Sequence, residues 1–388
     1  MTSLREIDER VRAEYGTAIG RPVADLVTPA LILDLPVAAR NITRMAALIE
    51  PMPAALRPHF KTHKSPALAR MQVAAGAGGL SVATVWEAAI LAQAGLDDLF
   101  IVNTVVGPAK IGAVAELARE RTVAVAVDDA PNAAELSRAA LAAGSTLGVL
   151  IEVDTGMRRG GFDTASSVVD LARRLVELPG LDFRGVTGYE GHCSEEADVA
   201  RRTELQHAAM RVLLDCVEAL AGIGIPCPIV SAGGTRTWWL TAATPGITEI
   251  QAGTYALMDQ FHSGVEGGFE HALRVVATVI SKQRGRFIVD AGSKSIGDPN
   301  LTTVAGLDVA NLGFDEEHGR FADVSGPDAT PVGVAVGDVL ELIPGYAPAT
   351  VNMFDAFHVV ENGVVTDIWP VVPRGPGHHG LIEGTPPR

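Results

Sequence analysis

The sequence has little cysteine, few aromatic residues and a deficit of positive charge. Its three cysteines, Cys193, Cys216 and Cys227, are odd in number and share no CxxC spacing, so they offer no disulfide framework and fit a reducing cytoplasm. No stretch of about 20 apolar residues occurs, as a membrane-spanning helix would need. The opening "MTSLREIDERVRAEYG" is charged, helical in pattern and without an apolar signal region, so an unexported, soluble, cytoplasmic protein is expected. With 31 Lys and Arg against 46 Asp and Glu, the net charge is -15. That balance argues against nucleic acid or an anionic membrane as partner and leaves a small molecule.

What the chain does have is glycine, proline and alternation. Its 388 residues, 47% hydrophobic with 41 Gly and 23 Pro, suffice for two domains built of many short elements. Strand-like apolar runs at 54–60, 79–83, 99–103, 122–127, 147–153, 183–188, 228–231 and 248–252 alternate with helical patterns. Eight such βα repeats predict a (β/α)8 TIM-type barrel over residues 26–265, with a doubly wound sheet as the rival. Ser65-Pro66 predicts a capped helix start, Thr84 with Glu87 a capping box, and Val37, Ile42, Met45, Leu48 and Ile49 one apolar helix face. After about residue 265 the helical period gives way to β-like runs such as "RFIVDAG" and "DVLELIP". A C-terminal β domain is therefore expected over 266–388, joined by part of residues 1–25.

In a barrel the chemistry sits at the C-terminal strand ends. "RPHFKTHKSP" (57–66) puts two lysines and two histidines there, just past the first strand. Pattern alone leaves two readings: Lys61 and Lys64 as solvated loop residues, or Lys61 desolvated, with a lowered pKa suited to Schiff-base chemistry. At the other end of the barrel, "SAGGTRT" (231–237) and "AGTYALMD" (252–259) follow the seventh and eighth strands. Gly-rich turns at those places are either tight turns or the phosphate cradle usual for this architecture. A lysine facing a phosphate cradle describes pyridoxal phosphate.

The ordered segments "TPALILDL" (28–35), "RPHFKTHKSP", "SVATVWEA" (81–88), "VDTGMRRGGF" (153–162), "YEGH" (189–192), "SAGGT" (231–235), "EIQAGTYALMD" (249–259) and "DAGSKS" (290–295) span nearly the whole chain. On these segments the chain resembles the fold-type III pyridoxal-phosphate enzymes, and within them the D-threonine aldolase and D-serine dehydratase group. The resemblance implies that Lys61 holds the cofactor and that Arg159 lies near the cofactor or the substrate carboxylate. It also implies that Tyr189 and His192 face the site, and that Gly234, Thr235, Gly253 and Tyr255 bind phosphate. From the residues themselves, Tyr189 could equally be a core aromatic and His192 a structural hydrogen-bonding histidine. His63 is open between fixing the loop, binding near the cofactor and taking a proton.

The same resemblance implies a divalent metal held by a histidine and, two residues on, an aspartate or cysteine. Here "LIPGYAPATVN" (342–352) puts Tyr346 and Pro348 at those positions. Proline has no donor atom and a neutral phenol is a poor ligand, so the usual metal site is expected to be absent. A metal drawn from elsewhere would need His318 or the pair His378–His379.

The expected function is cleavage of a D-configured or unusual β-hydroxy-α-amino acid by retro-aldol chemistry. His192 or His63 would be the base, and Tyr346 a partner for the hydroxyl. Hydroxide is a poor leaving group, so loss of the metal weakens the dehydratase alternative more than the aldolase. An amino-acid racemase or epimerase is the second alternative, and a non-catalytic cofactor-binding protein the third. A homodimer is implied by the resemblance.

Overall fold

The computed structural model of the chain describes residues 3–323 and 332–375. In chain order its strands are β1 Ala30–Asp34, β2 Ala55–Leu56, β3 Leu80–Val82, β4 Leu99–Thr104, β5 Val123–Val127, β6 Leu147–Glu152, β7 Leu181–Thr187, β8 Ile229–Ala232 and β9 Glu249–Ile250. There follow β10 Leu273–Gln283, β11 Arg286–Val289, β12 Thr303–Val304, β13 Asn311–Phe314, β14 Gly319–Ala322, β15 Val339–Ile343, β16 Ala356–Glu361 and β17 Val364–Pro370.

Strands β2 to β9 form one all-parallel sheet in the order β2-β9-β8-β7-β6-β5-β4-β3. A parallel bridge between His59 and Ser81, with the Ser81 N–H donating to Pro58 O at 3.0 Å, brings the two ends of that order together. These are the eight predicted strands, and the barrel prevails over the doubly wound sheet. The sequence of β5, Val-Ala-Val-Ala-Val, shows why: every residue is buried, as a parallel strand covered on both faces requires. Phe100, Ala124, Ala126 and Leu150 pack together as a cluster separate from the main core, small residues alternating with large ones in the manner of a filled barrel interior.

The helices start where local chemistry supplies a cap. Ser65 Oγ accepts the Leu68 N–H at 3.4 Å, and Pro66 begins helix Pro66–Ala74 without an N–H to lose. Helix Leu35–Ile49 is capped by Asp34 and buries Val37, Ile42 and Met45, while Leu48 and Ile49 lie at the edge of the core. The expected capping box at Thr84 is half formed. Thr84 Oγ1 accepts the Glu87 N–H at 3.2 Å, but the Glu87 carboxylate turns to the Ala83 N–H and to Lys64.

The second sheet runs β13-β14-β11-β10-β1-β16-β17, with β15 on β10 and β12 on β15. Strand β1 is a correction to the expected barrel range. Ala30–Asp34 is paired on both edges, with β10 antiparallel and β16 parallel, so it belongs to the second sheet, and four of its five residues are buried there. The first helix, Leu4–Tyr15, docks on the same sheet through Arg12 to Asp367 at 2.7 Å. No helix among the described residues is long and apolar enough to cross a membrane.

Candidate active site

β2 ends at Leu56 and the chain runs on to His59, whose Nδ1 accepts the Lys61 backbone N–H at 3.3 Å and opens a single 3-10 turn, Phe60–Thr62. A nitrogen that accepts carries no proton, so His59 is the tautomer protonated on Nε2. Burial, with Lys61 and Lys64 nearby, holds it well below the usual histidine range. Lys61 Nζ lies over the Tyr189 ring, 5.7 Å from its centroid, and the Arg159 guanidinium stands over the same ring at 5.6 Å. Burial first, and then the Arg159 charge, lowers the Lys61 amine below its ordinary pKa, with Glu87 opposing. A lysine so placed releases its proton more readily and becomes a nucleophile.

The other residues of that stretch do different work. Lys64 Nζ is tied to Glu87 Oε1 at 2.6 Å, and its carbonyl accepts the Val372 N–H, which fastens the C-terminal domain to the barrel loop. His63 is fully buried: Nε2 bonds Gln72 Oε1 at 3.0 Å and Nδ1 accepts the Ser65 N–H at 3.1 Å. Burial pulls its pKa down to about 4. Both ring nitrogens are occupied, so the geometry fixes the loop and leaves no nitrogen free to take a substrate proton. Gln72 passes the network on to the Tyr255 hydroxyl at 3.0 Å, and Tyr255 is likewise fully buried.

The Gly-rich loop after β8 is held by a carboxylate that sequence reasoning quoted in "YEGH" but gave no role. Buried Glu190 accepts the Gly233 N–H at 3.1 Å, the Thr237 hydroxyl at 2.7 Å and the Thr241 hydroxyl at 2.8 Å. Thr235 Oγ1 accepts the Thr254 N–H at 3.0 Å, joining the turns after β8 and β9. Contact excludes a side chain at one of these places and crowds it at the other. A Cβ at Gly253 would lie 2.5 Å from His59 O, and one at Gly234 would meet the Tyr189 ring at 3.1 Å. The ring is thus seated against the loop, and burial with Glu190 and Tyr346 raises its phenol to about 12.

Arg159 arrives on the loop after β6 and reaches back to Glu152 Oε1 at 3.6 Å. Burial raises Glu152, against the pull of Arg159. His192, in helix Gly191–Glu195, stacks its ring edge against Gly156. Its Nε2 lies 3.5 Å from Cys193 Sγ, and its Nδ1 is buried with no partner among the described residues. Strand ends of β2, β6, β7, β8 and β9 therefore bring Lys61, Arg159, Tyr189, His192, Gly234, Thr235 and Gly253 to one mouth.

From the second domain, Tyr346 stands at the start of helix Ala347–Val351 and is close enough to contribute to the rise of Tyr189. Its ring stacks on His262, centroids 6.1 Å apart at 18°, and Phe261 meets both rings edge-on. Asp259, fully buried, accepts His262 Nδ1 at 2.7 Å on one oxygen and the Ala347 N–H at 2.7 Å on the other. The sequence offered "EIQAGTYALMD" as a phosphate segment only, and nothing in the order of residues says that its aspartate caps a helix some 90 residues on.

A pyridoxal phosphate fits this donor set: a desolvated lysine, a guanidinium, hydroxyls, and glycines where a Cβ would close the cradle. The positions where the resemblance implies a divalent metal, Tyr346 and Pro348, do not supply the histidine and carboxylate or thiolate it would take. Pro348 offers no donor, and burial, then Asp259, keeps the Tyr346 phenol protonated by raising its pKa. No group of three or more His, Cys, Asp and Glu among the described residues could hold an ion. His318 is exposed between β13 and β14, and His378 and His379 lie outside the described residues.

Comparison with known proteins gives consistent matches. The model of the alanine racemase N-terminal domain matches residues 33–260, and a second model, named for a serine dehydratase domain, matches 272–360. The chain is 37% identical over 371 residues to a D-threonine aldolase of Arthrobacter sp., covering 92% of this chain and 95% of that protein. It is 34% identical over 373 residues to a 3-hydroxy-D-aspartate aldolase of Paracoccus denitrificans, covering 92% and 95%. Among solved structures, D-threonine aldolase from Filomicrobium marinum matches with TM-score 0.86 and 34% identity, over 91% of this chain and 97% of that one.

Proposed function

The chain belongs to the alanine racemase-like family of fold-type III pyridoxal-phosphate enzymes, on its aldolase and dehydratase branch, and we propose that it cleaves D-configured β-hydroxy-α-amino acids to glycine and an aldehyde. The observation that carries this reading is Lys61, its pKa lowered by burial and by Arg159, above a Tyr189 ring seated on the Gly234 turn.

Pyridoxal phosphate, when bound, supplies an electron sink for the negative charge that develops at Cα on C–C cleavage. Lys61 would hold the cofactor through its side-chain amine, which burial helps to free of its proton. Thr235 and the turns at Gly234 and Gly253 would hold the phosphate, and the hydroxyl of buried Tyr255, on the second of these turns, is held by Gln72. Arg159 would orient the substrate carboxylate or the cofactor, and Tyr189 carries both Lys61 and Arg159 over its ring. Of the histidines expected as base, His63 is a positioning residue because both nitrogens are engaged, and the Nδ1 of His192 is without a partner among the described residues but enclosed by burial.

The aldolase reading is favoured over the dehydratase because Tyr346 and Pro348 leave no acid strong enough to carry off hydroxide, while aldol cleavage needs only a base on the hydroxyl. We read the enzyme as metal-independent, cytoplasmic and homodimeric, the last two on family likeness and composition. Protein saturated with pyridoxal phosphate and treated with EDTA, given a panel of D- and L-β-hydroxy amino acids, should release glycine and aldehyde from D-members. Inverted substrate or an oxo acid in place of glycine would point instead to racemisation or elimination.

A further inference from the structure

Resting on the lyase reading, we infer that His262, oriented by Asp259 and stacked on Tyr346, is the catalytic residue that takes the proton of the substrate's β-hydroxyl, in the place where relatives are expected to use a metal.

The geometry is that of an oriented base. Asp259 accepts both the backbone N–H of His262 at 2.9 Å and its Nδ1–H at 2.7 Å. The ring proton is thereby fixed on Nδ1, which leaves Nε2 as the ring's acceptor. The hydrogen bonds that hold His262 among the described residues use its backbone N–H and Nδ1 and leave Nε2 without a partner there, and the residue is 7% exposed. When the ring takes a proton, the carboxylate beside it stabilises the imidazolium, as an orienting acid does in other His-carboxylate pairs.

Its placement ties it to the site. His262 lies on the segment after β9, at the same barrel end as Lys61, and its ring is stacked on Tyr346. Tyr346 in turn is near Tyr189, over which Lys61 and Arg159 stand. The dyad is also built into the domain junction. Asp259 Oδ2 caps the helix that carries Pro348, and the Gln260 and Phe261 N–H groups donate to Pro344 O and Gly345 O. The segment that lacks metal ligands is thus the one that positions the dyad.

The step balances without a co-reactant. The hydroxyl O–H bond breaks and its proton goes to Nε2. The O–H pair becomes the aldehyde C=O, the Cα–Cβ bond breaks with its pair left on Cα, and a proton drawn from water completes glycine, equal to the one His262 gives back. His262 returns its proton to water.

The test compares wild type with H262N, whose amide keeps a donor for Asp259, and with H262Q, all as cofactor-saturated enzyme in EDTA. Four readouts are taken: glycine and aldehyde from D-β-hydroxy substrates, exchange of the glycine α-proton in D2O, the visible absorbance of bound cofactor, and Mn2+ uptake by equilibrium dialysis. Wild type should cleave in EDTA, and both variants should lose cleavage by about 100-fold or more, the usual range for a general base. Absorbance and α-proton exchange should stay within about threefold of wild type, since neither touches the hydroxyl. Unchanged cleavage in either variant, or parallel loss of cleavage, exchange and absorbance in both, overturns the inference. Wild-type cleavage that EDTA abolishes and Mn2+ restores, or one Mn2+ per chain lost in H262N, assigns His262 to a metal and overturns it while the lyase reading stands. No glycine from wild type with or without Mn2+ overturns both.

Discussion

Lys61 Nζ and the ring of Tyr189 lie 5.7 Å apart, although 128 positions separate them in the chain. Lys61 follows the first strand of the barrel and Tyr189 the sixth, so only closure of the sheet brings them together. Arg159 shares the ring at 5.6 Å while it reaches Glu152 Oε1 at 3.6 Å, so Tyr189 lies under both basic side chains.

Replacing Lys61 separates it from its neighbour in sequence. K61A should remove the visible absorbance of lysine-bound cofactor and lower turnover by about 1,000-fold or more, as expected for loss of a covalent nucleophile. K64A should keep the absorbance, because Lys64 is spent on Glu87. Spectra of the two purified variants with added cofactor decide the matter, and an absorbance lost in K64A but kept in K61A would reverse the assignment.

The Gly253 turn should be intolerant of any side chain. A Cβ there meets the His59 carbonyl at 2.5 Å and Thr62 Oγ1 at 3.1 Å, so G253A must push apart the two loops that carry the lysine and the cradle. Cofactor affinity, followed by fluorescence titration of the apo-protein, should fall by about tenfold or more, equivalent to about 1.4 kcal/mol. Gly222 has nothing within 4 Å of its Cβ position, and G222A should leave affinity as it is.

Glu190 is an acceptor for three donors and has no spare geometry. In E190Q one carboxylate oxygen becomes an amide N–H2 that must face either the Gly233 N–H or the two threonine hydroxyls. A buried donor left without an acceptor costs about 1–3 kcal/mol, and urea unfolding of the variant should show a loss of that size. An unchanged midpoint and slope would mean that the loop is held by something else.

His63 gives the acid limb of stability a definite sign. Its folded pKa is about 4 against 6.5 for the free side chain, so between those values the unfolded chain binds the proton and the folded one does not. Stability from this group is therefore full above about pH 6.5 and falls as the pH drops toward 4, by up to about 3 kcal/mol. Denaturant unfolding at pH 7 and pH 5 should show a smaller difference in H63Q than in wild type, and an equal difference would remove His63 from the account.

Sequence periodicity and strand-end chemistry made the eight barrel strands readable, because a βα repeat writes its burial into local apolar runs and its helix starts into caps such as Ser65-Pro66. It also made Lys61 readable, as the lysine directly after a strand. It misread β1, since "ALILD" is as apolar as any barrel strand and its partners, β10 and β16, lie some 240 and 325 residues away. His63 illustrates the same limit at the site: a histidine between a threonine and a lysine looks available until Gln72 and Ser65 are seen to occupy it.

By itself the sequence determined the barrel, the order of strand-end motifs and the loss of the expected metal ligands at Tyr346 and Pro348, because each is a matter of residue type and local spacing. Only the tertiary structure decided that Glu190 braces the Gly233 turn, that Asp259 joins His262 to the helix carrying Pro348, and that Tyr346 stacks on that histidine. Those are contacts between segments distant in the chain or turned toward one another by a loop, and side-chain direction there is set by packing across the domain junction rather than by any period in the sequence.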